Sequence, residues 1–124
     1  MKEEFFSKAE ESLRSAEILF MNGLYDDCVS RAYYAAFRAA VVTLAEYGIK
    51  SEDNDHKWLQ ATFTRELINR RKIYNARLRS YLPELIKIRI QADYKITKIS
   101  KKQAKRQLDK AKEFVETVEK EIKK

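Results

Sequence analysis

The hydrophobic positions along this chain recur with the spacing of helices rather than of strands. Near the amino terminus the spacing alternates between three and four residues, at Phe6, Ala9, Leu13, Ala16 and Phe20. Such a stripe covers one face of a helix and is typical of helices that pack in a bundle. It predicts a first helix from about Lys2 to Met21. Asn22-Gly23 then ends it, because glycine readily adopts the left-handed conformation of a helix terminus.

The second helix is predicted from about Tyr25 to Tyr47, and it contains the most apolar stretch of the chain. Between Val29 and Leu44 the only charged residues are Arg31 and Arg38. Alanine favours helix, no Gly or Pro interrupts the stretch, and apolar groups lie nearly all round it. We therefore expect a central helix that several neighbours bury.

Two further helices are predicted in the middle of the chain. The polar and acidic run 51–55 precedes a third helix that begins near His56 and ends near residues 69–71. The fourth helix ends near Asp93, but its start is open because Pro83 removes a backbone donor and clashes with the preceding turn. It either starts near Asn75 and kinks at Pro83, which we favour, or it starts near Tyr81.

The fifth helix has the clearest start, because Ser100 and Gln103 have the spacing of a capping box. Apolar residues then alternate at spacings of four and three, at Ala104, Leu108, Ala111, Val115, Val118 and Ile122. Only two Gly and one Pro occur in 124 residues, too few turn positions for a many-stranded sheet. The chain is therefore predicted to be all-α, an up-and-down helical bundle that forms one domain over residues 1–124.

Composition disfavours several kinds of chemistry. With one histidine and with Cys28 as the only cysteine, neither an internal disulfide nor a protein-built metal centre is expected. Cys28 lies in an apolar helix and is interpreted as a core residue. No Gly-rich phosphate loop is present, and we expect no cofactor. No apolar run approaches the about 20 residues of a membrane span, and no signal peptide is recognisable, so we expect a cytoplasmic protein without membrane contact.

The net charge of +7 is unevenly distributed along the chain. From Arg65 to Arg106 there are fourteen Lys and Arg against three acids, 14 − 3 = +11, whereas the remainder has twelve basic and sixteen acidic residues, 12 − 16 = −4. This asymmetry predicts a positive surface that attracts phosphates, acidic protein or anionic lipid. The alternative is a solvated face without a dedicated ligand.

Candidate chemistry concentrates at the end of the fourth helix. Arg89 and Asp93 are four residues apart and share a face, so they form either an ion pair within the helix or a phosphate-binding arginine with its partner. Tyr94 follows, and it is interpreted either as a packed residue or as one that donates a hydrogen bond or stacks on a base.

Two further groups of polar residues are candidates. His56 lies in the first turn of the third helix, where the helix dipole favours a neutral imidazole that either covers the core or acts as a base or anion partner. Arg31, Tyr34 and Arg38 share one face of the second helix. They could order the nearby acids, Asp26 and Glu46, or bind a partner.

Three segments of the chain together resemble the HEPN family of small helical domains. They are Ser30 to Phe37 on the second helix, Ser51 to Lys57 before the third, and Arg89-Ile90-Gln91-Ala92-Asp93-Tyr94 on the fourth. The likeness is closest to small stand-alone prokaryotic members, of the type paired with a minimal nucleotidyltransferase in toxin–antitoxin systems. It implies a four-helix bundle with an additional helix, a homodimer, and a polar groove for nucleotide or RNA.

The resemblance also suggests endoribonuclease activity. In the nuclease branch of the family an arginine precedes a histidine by about four to six positions, and two such motifs meet across a dimer. Here Arg89 fits, but Asp93-Tyr94 stands where the histidine is expected, and His56 is on another helix. An ionised carboxylate is a weaker base than imidazole at neutral pH.

Three hypotheses follow from the sequence. The first is a HEPN-type module that binds nucleotide or RNA through Arg31, Tyr34, Arg38, Arg89 and Tyr94, with a nucleotidyltransferase protein as partner. The second is a metal-independent endoribonuclease toxin whose catalytic residues are Arg89, Asp93, Tyr94 and His56. The third is a helical scaffold without a small ligand, whose polar residues serve dimerisation.

Overall fold

The computed structural model describes residues 6–50, 55–95 and 97–124. Its elements in chain order are α1 (Ser7–Met21), α2 (Tyr25–Glu46), α3 (His56–Thr62), a π-helical segment (Phe63–Arg70), a 3₁₀ turn (Ala76–Ser80), α4 (Tyr81–Tyr94) and α5 (Lys101–Ile122). No strand occurs in these ranges. The all-α prediction is confirmed.

Helix α2 is the centre of the bundle, with α1, α4 and α5 packed around it. Five of its alanines are completely buried, namely Ala32, Ala35, Ala36, Ala39 and Ala40. Because an alanine side chain is a single methyl group, the neighbouring helices can approach the α2 backbone closely. Tyr33 and Leu44 fill the larger spaces and are each 1% exposed. The expectation of a central, buried second helix is therefore confirmed.

The outer helices α1 and α5 present the apolar stripes that the sequence indicated. On α1, Ala9 and Ala16 are fully buried, and the helix ends before Gly23, whose φ of 73° is left-handed. The predicted start at residues 2–5 lies outside the described residues. On α5 the capping box is complete, because Ser100 Oγ accepts from Gln103 N at 3.1 Å and Gln103 Oε1 accepts from Ser100 N at 3.0 Å.

The start of α4 corrects the arrangement that we favoured. The chain makes a separate 3₁₀ turn, capped by Asn75, whose Oδ1 accepts from Arg77 N at 2.8 Å. The α-helix itself begins at Tyr81, so Pro83 is its third residue. Backbone N–H groups in the first turn have no acceptor within an α-helix, so proline costs little there. The expected kink at Pro83 was wrong, and the alternative start near Tyr81 is right.

Two connections fix the neighbours of α2. Asp55 caps α3 by accepting from Lys57 N at 2.9 Å, which holds His56 at the start of that helix; the rest of the predicted cap cluster, 51–54, lies outside the described residues. Before α5, Ile99 is buried and its N–H donates to Asp26 Oδ1 at 2.8 Å. Among the helices of the described ranges, none combines the length and apolarity that crossing a membrane requires.

Candidate functional site

A groove runs along the face of α2 that carries its polar residues. It encloses about 650 Å³ and is lined by Leu19, Asp27, Ser30, Arg31, Tyr34 and Arg38. The arginines and the tyrosine stand at i, i+3 and i+7, so the helix aligns them on one side while its alanines face the core. The structure thus brings together the three residues that the sequence grouped on this helix.

The two arginines of the groove are held differently. Arg38 is half-buried and its Nη1 donates to Ser12 Oγ at 2.9 Å; Ser12 is only 3% exposed, so this bond ties Arg38 to α1. Arg31 is exposed, and no carboxylate of the described residues lies within ion-pair distance of it. Its guanidinium therefore retains donors that can bind an anion from solvent.

Arg89 of α4 lies against two tyrosines of α2. Its Cζ is 4.8 Å from the centre of the Tyr34 ring and 5.6 Å from that of Tyr33, and its Nη2 donates to the Tyr34 hydroxyl at 3.1 Å. Its Nε is 3.3 Å from Asp93 Oδ2. Most of the guanidinium is thus engaged with protein groups, so Arg89 supports Tyr34 rather than lining the groove.

Asp93 connects α4 to α2, whereas Tyr94 points away. The second carboxylate oxygen of Asp93 accepts a hydrogen bond from Ser30 Oγ at 3.1 Å, and Ser30 is a groove residue. Tyr94 is 78% exposed and is not among the residues that line the groove. Of the fourth-helix candidates, Arg89 and Asp93 therefore form one cluster with α2, and Tyr94 stands apart from it.

A second groove adjoins the first. It encloses about 520 Å³ and is lined by Lys8, Tyr34, Phe37, Arg38, Val41, Val42 and His56. Tyr34 and Arg38 line both grooves, so they form the boundary between them. A ligand that covers this boundary can contact cations on both sides, with Arg31 on one side and Lys8 on the other.

His56 is packed between aromatic residues of α2. Its ring centre is 4.8 Å from that of Phe37, and its Nδ1 hydrogen-bonds to the Tyr33 hydroxyl. Burial lowers the pKa of His56 below its ordinary value, the Arg89 charge lowers it further, and Asp55 partly opposes this shift. Imidazole is therefore neutral at pH 7, as the helix position predicted.

Several residues that matter here were not among the sequence candidates. Ser12 and Lys8 come from α1, and they reach the grooves only because α1 packs on α2. Sequence spacing gave no signal for either. Asp26, suggested as a partner for the arginines, instead accepts from the backbone of Ile99.

Other chemistry finds little support in the described ranges. No group of three or more His, Cys, Asp or Glu is arranged there to hold a metal ion. Cys28 is fully buried, and burial raises the pKa of its thiol to about 11. A thiol that stays protonated at neutral pH is a weak nucleophile, so Cys28 is a core residue, as interpreted from the sequence.

The basic segment 65–106 contributes one cation, Arg89, to the cluster beneath the grooves, and its partner Asp93 neutralises it. The cations that line the grooves are Arg31, Arg38 and Lys8, which all lie before that segment. The excess of positive charge in the middle of the chain must therefore lie mainly elsewhere on the molecule.

Comparison with known proteins gives a consistent assignment. A family model described as HEPN domain matches residues 2–122. A protein of Methanocaldococcus jannaschii named "Putative toxin MJ0605" is 32% identical over 115 residues, which cover 93% of this chain and 84% of that protein. A protein of Archaeoglobus fulgidus named "UPF0332 protein" is 47% identical over 45 residues, 36% of each chain.

Proposed function

Because the chain belongs to the HEPN domain family, we propose that it is a nucleotide- or RNA-binding module that acts as the toxin of a toxin–antitoxin-like pair. The observation that carries this proposal is the groove lined by Arg31, Tyr34 and Arg38. The similar protein of Methanocaldococcus jannaschii, named "Putative toxin MJ0605", supports the toxin role.

The groove suits a phosphorylated ligand in size and in chemistry. Its volume of about 650 Å³ lies within the range of about 300–1,000 Å³ that is usual for small-molecule sites. The Arg31 and Arg38 guanidinium groups can each bind phosphate oxygens through two donors, against the single carboxylate of Asp27. Tyr34 offers an aromatic surface on which a base stacks, and the guanidinium of Arg89 supports its ring from within the protein.

Binding of a short single-stranded RNA and of AMP tests the proposal. Arg31→Ala should weaken both, and it should reduce the salt dependence of RNA binding by about 0.7 in log Kd per log salt, the value for one phosphate contact. Arg31 is exposed and makes no ion pair with a described residue, so the fold should persist. Arg106→Ala, which removes an exposed arginine of α5, is the matched control. Equal binding by the Arg31 variant and the wild type would contradict the proposal.

A second candidate function is metal-independent cleavage of RNA, and one contact favours it. Tyr33 lies between His56 and Arg89, bonding to the first through its hydroxyl and facing the second with its ring. The third helix thus supplies a neutral imidazole close to the arginine, although the sequence motif on α4 has no histidine. In this mechanism His56 accepts the proton of the 2′-hydroxyl as that oxygen bonds to the adjacent phosphorus. The bond from phosphorus to the 5′-oxygen breaks, and the 5′-oxygen takes a proton from water, while Arg89 and Asp93 orient the site.

The cleavage hypothesis predicts RNA fragments in the presence of EDTA. His56→Gln and Arg89→Ala should each abolish the fragments, while Arg106→Ala should not. The purified wild type, free of any antitoxin, is the decisive sample. Intact RNA after long incubation with it would refute the nuclease and leave the binding module.

We further propose a homodimer and a nucleotidyltransferase partner, which the likeness to small HEPN proteins implies. Ile90 and Tyr94 support a protein contact because they lie one turn apart on α4 and are 46% and 78% exposed. Measurement of the mass in solution tests the dimer. A monomer at micromolar concentration that also fails to bind a co-expressed nucleotidyltransferase would remove this part of the proposal. It would also contradict the scaffold hypothesis, because that hypothesis requires a dimer.

A further inference from the structure

Six of the fourteen basic residues of the segment 65–106 lie near the other end of α2. The π-helical segment, the loop that follows it and the 3₁₀ turn carry six exposed basic residues, Arg65, Arg70, Arg71, Lys72, Arg77 and Arg79. We call these six residues the basic end. Arg71 fixes its place in the fold, because its Nη1 donates to the carbonyl oxygen of Tyr47 just beyond α2.

A single carboxylate organises half of the basic end. Glu66 lies 2.7 Å from Arg70, 3.3 Å from Arg65 and 3.9 Å from Arg71. The π-helical hydrogen bond from Arg71 N to Glu66 O spans five residues, so the wide turn places both Arg70 and Arg71 beside Glu66. These ion pairs lower the pKa of Glu66 below its ordinary value, chiefly through the hydrogen bond from Arg70. One acid cannot neutralise three guanidinium groups.

The remaining three cations likewise have a single carboxylate among them. Arg77 pairs with Glu113 at 3.3 Å, whereas Lys72 and Arg79 have no carboxylate of the described residues within ion-pair distance. The balance at the basic end is therefore six cations against two acids, 6 − 2 = +4. Lys72 and Arg79 line a depression of about 390 Å³, together with Ile68, Asn69, Tyr74 and Ala76.

Lys72 occupies a backbone position that normally favours glycine. Its φ is +52°, the only left-handed value of a non-glycine residue in the described ranges. The N–H groups of Ile73 and Tyr74 both donate to Leu67 O, at 2.8 and 3.2 Å, so the loop closes the helix as a glycine-type C-terminal cap would. A left-handed lysine is less stable than glycine at such a position. The turn therefore does not require a lysine side chain at position 72.

The chemistry of this surface fits a phosphate backbone better than a protein. Protein interfaces usually need exposed aromatic or aliphatic anchors. The large hydrophobic residues that are exposed in the described part of the chain are Ile18, Met21, Leu24, Ile90 and Tyr94, and none lies at the basic end. Five of its six cations are arginines, whose planar donors suit phosphate oxygens.

We propose that the basic end is a second RNA-binding surface, which contacts the backbone of an RNA whose other part occupies the α2 groove. This inference rests on the proposed RNA-binding function. From Arg31 to Tyr47 the chain advances 47 − 31 = 16 residues, or about 24 Å along a helix. A mononucleotide therefore reaches only the groove, whereas an RNA of sufficient length reaches both surfaces.

The test compares a double variant, Lys72→Gly with Arg79→Gln, against a control that removes two exposed cations of α5, Arg106→Gln with Lys112→Gln. With a labelled RNA of about 20 nucleotides, the double variant should lower the salt dependence of log Kd by about 1.4, the value for two phosphate contacts. The control should not. AMP binding should stay unchanged in both.

Measuring both stability and RNA binding of one variant separates a binding role of Lys72 from a purely structural role. Lys72→Gly alone should raise the melting temperature by about 3 °C while weakening RNA binding. An unchanged salt dependence in the double variant would overturn the inference. A second result would also overturn it: polyglutamate binds the wild type as tightly as RNA does, and the double variant no longer binds polyglutamate. The surface would then be a binding site for an acidic protein.

The two proposals can fail separately. If Arg31→Ala binds AMP as the wild type does, but the double variant loses affinity for the long RNA, then the groove hypothesis fails and the basic end stands. If Arg31→Ala weakens AMP binding and the double variant behaves as the wild type, the basic end fails and the groove stands.

Discussion

Arg89 makes contacts within the protein that hold Tyr34, a residue of the proposed binding groove. Its side chain is 21% exposed, and its guanidinium faces two tyrosine rings, one tyrosine hydroxyl and the Asp93 carboxylate. A partly desolvated contact of a cation with an aromatic face contributes about 1–2 kcal/mol. Arg89 therefore fixes the position of Tyr34, which forms the boundary between the two grooves. The structure shows the ion pair that the sequence offered as one interpretation, and the functional arginine stays a prediction.

His56 makes a prediction at the same scale, for stability against pH. Its pKa is lowered in the folded protein by burial and by Arg89, while the unfolded chain has an ordinary histidine pKa. Below about pH 6.5 the unfolded state therefore takes up a proton that the folded state resists, and the free energy of unfolding falls as the pH falls. Urea unfolding between about pH 8 and pH 5.5 measures this.

The His56→Gln variant is the control for that measurement. It removes the titrating group, so its stability should vary less over the same pH range than that of the wild type. Carboxylates titrate mostly below this range, and Asp55, the neighbouring acid, is retained in the variant. Parallel curves for the two proteins would show that His56 is not shifted as described.

At the scale of elements, helix ends in this fold are set by very different means. The capping box at Ser100 satisfies two backbone groups of α5 through side chains. At the start of α4, Ser80 is the N-cap but makes no side-chain cap hydrogen bond. There the preceding 3₁₀ turn holds the backbone, since Tyr81 N donates to Leu78 O.

This difference gives a matched pair of substitutions. Ser100→Ala should lower the free energy of unfolding by about 1 kcal/mol, because it leaves the N–H of Gln103 without its acceptor. Ser80→Ala removes the same hydroxyl from a cap position where it accepts no such bond, and it should change stability by less than about 0.5 kcal/mol. Chemical denaturation of both variants checks the prediction, and equal losses would refute the assigned role of the capping box.

At the scale of the whole molecule, two groups of cations lie at different places along α2. The groove cations come from α1 and α2, whereas the basic end comes from the segment after α3. Arg38, the groove cation on α2 nearest to the basic end, is 47 − 38 = 9 residues from Tyr47, or about 14 Å along a helix. This exceeds the Debye length of about 8 Å at physiological salt, so the two surfaces act on a ligand nearly independently. A long polyanion can bind both at once, which increases its affinity through effective concentration.

The sequence by itself determined the elements and their faces. The periodic stripes gave α1 and α5, the alanine-rich run gave the buried centre α2, and Ser100 with Gln103 gave a helix start that the structure reproduces. The grouping of Arg31, Tyr34 and Arg38 also followed from spacing, because residues three, four and seven apart lie on one side of any helix. These features depend on local geometry, which sequence spacing encodes.

Only the tertiary structure decided which residues meet across helices. Arg89 came to lie under Tyr34, His56 beside Tyr33, and Ser12 against Arg38 because α4, α3 and α1 each pack on a different part of α2. The start of α4 at Tyr81 likewise depended on the 3₁₀ turn before it, for which Pro83 alone gave no signal. Net charge showed a strong excess between residues 65 and 106, but a linear count carries no direction in space. The fold placed six of the fourteen cations of that segment near the end of α2 that is away from Arg31.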